Sequence, residues 1–161
     1  MFEIKELTQE LIPGKGYVHY TAWNETYSGL IDERFLSKRS LQKCVEFANI
    51  LFGKEDCFVA LVNNEVVGFI SFNNTSRNRS DYTEILALYV LKKNQNMGVG
   101  TALLNKAFEE NTNQNIHLFV LDNNIKAINF YKRHGFQFSG VEKIEDLKVT
   151  TIRELEMIMT R

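Results

Sequence analysis

The stretch "LYVLKKNQNMGVGTALLNKAFEE", Leu88 to Glu110, decides the fold. An apolar, strand-like run ends at Val90, and an unbroken helical pattern begins at Val99. Two lysines, Lys92 and Lys93, and the turn Gly98-Val99-Gly100 lie around the junction. A helix that starts on such a turn offers unpaired N–H groups and the positive end of a dipole, which together attract an anion. Gly98 and Gly100 lack a Cβ, so phosphate oxygens can come close to the main chain there. Met97 to Thr101 therefore predict a site for a phosphate-bearing ligand. The plainer alternative is that the two glycines only shape a tight strand-to-helix turn. The segment is not a P-loop, because GxxxxGK[ST] is absent. It is not a dinucleotide fingerprint either, because Leu103 stands where the third glycine would fall.

Outward from this junction the chain alternates between strand and helix signals. Upstream, Tyr82–Leu91 reads as a strand, apolar on both faces from Ile85 to Leu88 and therefore buried. Strict alternation would put Glu84 on one face with Leu86, Leu88 and Val90. Residues 57–62 and 66–72 flank Asn63-Asn64-Glu65 as a hairpin. Residues 73–81, polar throughout, read as a loop. Downstream come a helix from Val99 to about Asn111, a strand over 115–122, and a helix from Ile125 to His134 stopped by Gly135. Two closing strands follow at 136–144 and 151–160. At the N-terminus, residues 2–7 alternate as a strand, and Pro13–Gly16 is expected to break the chain. Helices are expected from Tyr17 to Leu30 and, capped by Ser40, from Leu41 to about Phe52, with a short helical turn within 31–39. The order β-α-α-β-β-β-α-β-α-β-β predicts one α/β domain over residues 1–161 built on a mixed sheet.

Composition narrows the function. With 161 residues, 44% apolar and 24% charged, the chain can bury one core. A net charge of -1 argues against a nucleic-acid partner bound through bulk charge. No segment reaches the roughly 20 apolar residues needed to cross a bilayer, and the N-terminus lacks the pattern of a secretory leader. The expectation is a cytoplasmic protein with no membrane partner. Cys44 and Cys57 form no CxxC pair and read as small buried hydrophobes. His19, His117 and His134 are scattered without a metal-ligand partner at suitable spacing, so no metal is expected.

The strand, then Gln95-x-x-Gly98-x-Gly100, then a helix opening Thr101-Ala-Leu-Leu resembles motif A of the GNAT N-acetyltransferases. The segment Asp122–Gly140 resembles that family's motif B through Asn124, Ala127, Phe130, Tyr131, Gly135 and Phe136. The resemblance covers Cys57 to Arg161 well and the first helix more loosely. It implies the GNAT fold and acetyl-CoA as cosubstrate. It also implies that Gln95, Asn96, Met97, Gly98, Val99, Gly100 and Thr101 line the pyrophosphate. In the family, a strand that splays from its neighbour at a bulge pairs its backbone with the pantetheine arm; here that maps to Leu88, Tyr89 and Val90. Asn124 would contact the coenzyme, or serve as an N-cap, or both. Tyr131 is implied as the acid that protonates the departing thiolate; from the residues alone it reads as a core tyrosine on an amphipathic helix. Glu84 aligns with the family's general-base glutamate, and its plainer reading is a solvated residue at a strand start.

For the acceptor, the resemblance points to the early helices and the loop over residues 73–81. Trp23 and Tyr27, four apart and on one helical face, are candidates to wall the acceptor site or are simply core; Glu25 lies beside them. Arg77 and Arg79 would meet an acidic group or the coenzyme's 3′-phosphate, or are solvated loop charges. The expected activity is direct acetyl transfer to a primary amine of a small molecule or peptide, with a homodimer as a further expectation. The alternative is an acyl-CoA-binding sensor or regulatory module without turnover.

Overall fold

The computed structural model describes residues 1–161. Strands β1 (Glu3–Glu6), β2 (Asp56–Val62), β3 (Glu65–Asn73), β4 (Tyr82–Val90), β5 (Asn115–Leu121), β6 (Gln137–Asp146) and β7 (Thr151–Thr160) form one sheet in the order β1-β2-β3-β4-β5-β7-β6. All pairs are antiparallel except β4–β5. Helices α1 (Ile12–Tyr27), α2 (Glu33–Leu36) and α3 (Leu41–Leu51) precede β2, α4 (Val99–Glu110) joins β4 to β5, and α5 (Ile125–Arg133) joins β5 to β6. The predicted element order and mixed sheet are those observed.

Local chemistry explains most boundaries. Asn63 and Asn64 both adopt positive φ (50° and 66°), the geometry of a two-residue turn whose twist suits a hairpin. Ser40 accepts a hydrogen bond from the Lys43 N–H at 3.1 Å and caps α3. Pro13–Gly16 corrects one expectation: these residues do not break the chain but form the first turn of α1. Proline is tolerated there because its missing N–H would have had no helical partner. The two glycines allow close packing. A Cβ on Gly14 would lie 2.6 Å from Val66 Cγ2, and one on Gly16 would lie 2.6 Å from Val45 Cγ2.

One core of 28 buried residues runs through the sheet, with α1 and α3 on one face and α4 on the other. His19 of α1 meets Phe69 and Tyr89, whereas Leu103 of α4 approaches Gly68 and Lys106 of α4 lies over Phe58. A smaller cluster of Ile31, Leu36 and Leu121 seats α2 against the sheet, with Trp23 and Tyr27 packed on it. No helix is long and apolar enough to cross a membrane.

Strand β4 departs from simple alternation. Ser71 pairs with Ala87 and Phe72 pairs with Ile85, so Leu86 is an extra residue in the ladder. This bulge reverses the parity of everything after it. Glu84 therefore shares the α1 face with Tyr89, and Leu88 and Val90 point to the α4 face, contrary to the face assignment from alternation. Leu86 itself is 43% exposed, not buried.

Candidate active site

The parallel pairing of β4 with β5 lasts three rungs, Tyr82–Asn115, Thr83–Ile116 and Glu84–His117, and then stops. Beyond Glu84 the strands separate. The gap between them is a cleft of about 310 Å³. Leu88, Tyr89 and Val90 pair with Ile70, Phe69 and Gly68 of β3 on one edge and lack a strand partner on the other. The open edge faces the cleft and leaves backbone groups available to an extended ligand.

The open end of the cleft is closed by the start of α4. Gly98 sits at φ +84°, ψ 0°, with no heavy atom within 4 Å of where a Cβ would be. An L side chain is strained in that left-handed conformation, whereas glycine is not. A Cβ on Gly100 would touch the Phe130 ring at 3.4 Å. The turn is braced from three sides. The Lys92 N–H donates to Glu25 Oε1 of α1 at 3.1 Å, and Gln95 Nε2 donates to the Val90 carbonyl at 3.0 Å. His134 accepts at Nε2 from the Thr101 hydroxyl at 3.1 Å, a tautomer assigned from its Nδ1–H donating to the Phe130 carbonyl at 2.7 Å.

Of the residues singled out in the sequence, Tyr27, Leu88, Tyr89, Val90, Gln95, Asn96, Gly98, Gly100, Thr101, Asn124 and Tyr131 line this one cleft. Met97 is half exposed outside it and Val99 is buried behind it. Trp23 packs in the small cluster with the Arg39 guanidinium 4.0 Å over its ring, and does not reach the cleft. Asn124 both lines the cleft and caps α5, accepting from the Ala127 N–H at 3.3 Å. Glu25, grouped with the acceptor residues, instead holds the glycine turn.

Three tyrosines converge on the cleft. Tyr27 and Tyr89 hydroxyls lie 3.3 Å apart. Burial, and then the neighbouring Tyr27, raise Tyr131 well above the ordinary phenol range, and Tyr89 is raised by the same two causes in the same order. These phenols keep their protons at neutral pH. The Tyr131 ring is held edge-on by Phe130 and Phe136 at 5.3 and 5.5 Å.

Glu84 does not line the cleft but stands at its apex, on the last β4–β5 rung. Its Oε1 accepts from Ser76 Oγ at 2.9 Å and Asn78 Nδ2 at 3.2 Å. Arg79 is not a free loop charge: its Nε and Nη2 each donate to Glu156 at 2.8 Å. His117, fully buried, lies between Ser76 and Glu156. Sequence reasoning missed Ser76 and Glu156, and also Lys126 and Arg133, which line the cleft. Lys126 and Arg133 flank motif residues on α5, so their helical spacing was the available signal. Ser76 and Glu156 had none.

A model described as the Acetyltransferase (GNAT) family matches residues 16–136. A probable N-acetyltransferase of Mycobacterium tuberculosis is 26% identical over 132 residues, 80% of this chain and 75% of that protein. The L-amino acid N-acetyltransferase AaaT of Escherichia coli is 30% identical over 89 residues, 53% of this chain and 55% of that protein. The fold is similar to that of the PaiA N-acetyltransferase of Thermoplasma acidophilum, solved in complex with coenzyme A. The TM-score is 0.76 at 20% identity, covering 100% of this chain and 99% of that one. It is also similar to the ribosomal-protein-S18-alanine N-acetyltransferase of Escherichia coli, with a TM-score of 0.72 at 18% identity over 99% of this chain and 94% of that one. With a glycine turn at the mouth of a splayed β4–β5 pair, and a family match over most of its length, this chain belongs to the GNAT family of acetyltransferases.

Proposed function

We propose that the protein transfers the acetyl group of acetyl-CoA directly to a primary amine of a small molecule or peptide. The observation that carries this reading is the gap between β4 and β5, closed at one end by the N–H groups of α4 and flanked by Tyr131. The turn Gln95–Thr101 takes the pyrophosphate, with Lys126 and Arg133 adding positive charge at the mouth. The pantetheine arm runs back along the unpaired edge of Leu88–Val90, which sends the thioester toward the apex.

The acceptor enters from the side of α1 and α2, past Tyr27. The amine attacks as a free base, so its ammonium form must first lose a proton; an alkylamine has an ordinary pKa of about 10.4. Glu84 is the base of this reading. As the new C–N bond forms and the C–S bond breaks, the sulfur takes a proton from Tyr131, which its raised pKa keeps protonated until that moment, and the second proton shed by the acylated nitrogen restores the Tyr131 phenol. Direct transfer is supported by the cysteines. Neither Cys44 nor Cys57 lines the cleft, and burial pushes both thiols up, away from the reactive thiolate form. Replacing both with alanine should leave turnover intact, and loss of turnover in a folded double variant would point to a covalent route. The acceptors named for relatives, L-amino acids for AaaT and a ribosomal-protein alanine for the S18 enzyme, support an amine on a small molecule or peptide.

The test is release of free thiol from acetyl-CoA across a panel of amino acids, polyamines, aminoglycosides and N-terminal peptides. Amine-dependent release supports the reading. Tight coenzyme binding with no release across the whole panel would make the protein a sensor instead.

A further inference from the structure

Six side chains from separate parts of the chain are joined in one hydrogen-bonded network at the apex of the cleft. Glu84 of β4 bonds Ser76 at 2.9 Å, and Ser76 Oγ lies 2.6 Å from His117 Nε2 of β5. His117 Nδ1 lies 2.8 Å from Glu156 Oε2 of β7, and Glu156 is gripped by Arg79 and, at 2.5 Å, by Ser139 of β6. His117 is 0% exposed and Glu156 1%. Only the Glu84 end, with a side chain 12% exposed, approaches the cleft.

The hydrogens in this chain are countable. Ser76 has one hydroxyl proton, and its oxygen also accepts the N–H groups of Asn78 and Arg79 at 3.0 and 3.2 Å. Burial raises the Glu156 carboxyl, but bonds from Arg79, Ser139 and His117 outweigh it and hold the pKa at about 2. Glu156 is therefore an acceptor only, and His117 Nδ1 must carry a proton. On the other side, Glu84 and Nε2 both contact the same hydroxyl. If both are unprotonated, they compete for its one proton and one contact is left unfilled. One added proton removes that competition in either of two ways, with the Ser76 oxygen then shared among three donors. Protonated Nε2 can donate to Ser76 while Ser76 donates to ionised Glu84, or protonated Glu84 can donate to Ser76 while Ser76 donates to Nε2. The two forms differ only by short proton shifts along the 2.6 and 2.9 Å contacts.

We propose that Glu84, Ser76 and His117 form a proton relay in which Glu84 takes the proton of the acceptor's ammonium and His117 stores it. This rests on the reading of Glu84 as the base. The N–H bond of the ammonium breaks with its electron pair left on nitrogen, and an O–H bond forms on Glu84. Glu84 then gives that proton to Ser76 Oγ as Ser76 gives its own to Nε2, so Glu84 is ionised again and His117 is an imidazolium between two carboxylates. The proton leaves by the reverse path after the product amide departs. Ser76 and His117 are positioning residues here, because they act through Glu84. The groups facing the relay are Tyr82 of β4, whose ring is 5.5 Å from His117, Phe119 of β5 at 5.8 Å, and Arg79 from the preceding loop. From β7 and β6 come Glu154, in electrostatic reach of Glu84, together with Lys143 and Glu145; from α1, Tyr27 faces Glu154. None of these hydrogen-bonds His117, whose side-chain partners are Ser76 and Glu156.

Imidazole NMR of His117 at one fixed neutral pH tests the relay without an acceptor. Because Nε2 contacts Glu84 only through Ser76 Oγ, the ring 15N signals of His117 should change in Glu84→Gln. Unchanged signals in the folded variant overturn the proposal. With an amine that supports turnover, Ser76→Ala should lower kcat by about tenfold or more, leave the KM for acetyl-CoA unchanged and displace the acid limb of the pH profile, and Ser76→Thr should restore kcat and the acid limb. A lowered kcat with an unmoved acid limb also overturns it. If Glu84→Gln keeps wild-type turnover, the base assignment itself fails. If Glu84→Gln loses turnover while Ser76→Ala and His117→Gln keep the wild-type pH profile, the relay fails alone.

Discussion

At the scale of single residues, Gly98 carries two demands at once. Its φ of +84° needs glycine, and the open space around it is where a diphosphate would approach. Under the proposed function, the turn-shaping and anion-binding readings of the sequence meet in this one residue. Gly98→Glu should fold at a cost of about 1–2 kcal/mol for the left-handed backbone, yet lose coenzyme binding through bulk and negative charge. A thermal shift with coenzyme A checks it: the rise in Tm seen for the wild type should vanish. Tyr131 shows why one hydroxyl can be tested cleanly. Its ring contributes to the core beside Phe130 and Phe136, so Tyr131→Phe keeps the packing. The expected outcome is a fall in kcat with coenzyme affinity held, measured by steady-state kinetics and direct binding. The cap at Asn124 was readable because capping has a sequence signature and the residue lies at a helix start.

At the scale of elements, α1 does more than cover the sheet. Glu25 near its end pins the Lys92 N–H, linking the helix to the glycine turn. Glu25→Ala should raise the KM for acetyl-CoA several-fold while largely sparing kcat, because the turn loses its brace but the reacting groups stay. Near the start of α1, Lys15 bonds Glu55 at 3.2 Å, with side chains only 4% and 6% exposed. Removing one partner leaves the other charge buried and uncompensated. Lys15→Met should therefore cost about 3–5 kcal/mol, and the double variant Lys15→Met/Glu55→Leu should recover most of it; urea denaturation measures both. The elements themselves were largely legible from sequence. Ser40 and the Asn63-Asn64 turn mark boundaries through chemistry confined to a few neighbouring residues. Pro13–Gly16 misled because glycine reads locally as a breaker, whereas here it serves contacts with Val66 and Val45 that are distant in the chain.

At the scale of the whole molecule, packing α1 on the sheet buries titratable groups, and this sets the response to acid. Burial first, and then Arg39 and Lys15, lower His19 to about 4 from an ordinary 6.5. The unfolded chain takes up a proton near 6.5 and the folded chain not until about 4. Stability should therefore fall as pH drops through that window, by up to about 3 kcal/mol. Glu156, held at about 2 against an ordinary 4.5, adds a second decline below that. Urea unfolding at stepped pH should show both, and His19→Gln should remove the first while sparing the second. A stability that holds constant from neutral pH down to about 4 would contradict the burial of a neutral imidazole.

The order of elements, the hairpin, the helix caps and the glycine turn were determined by the sequence alone, because each depends on interactions within roughly ten residues of chain. The tertiary structure alone decided which face Glu84 occupies, since the extra residue Leu86 reverses the alternation only once β3 and β4 are paired. It alone joined Ser76, Arg79, His117 and Glu156, which lie 39 to 77 residues apart along their bonded pairs. No local pattern encodes such contacts. They exist because the sheet inserts β7 beside β5 and ends the β4–β5 ladder at Glu84, bringing the loop before β4 over the same buried rung.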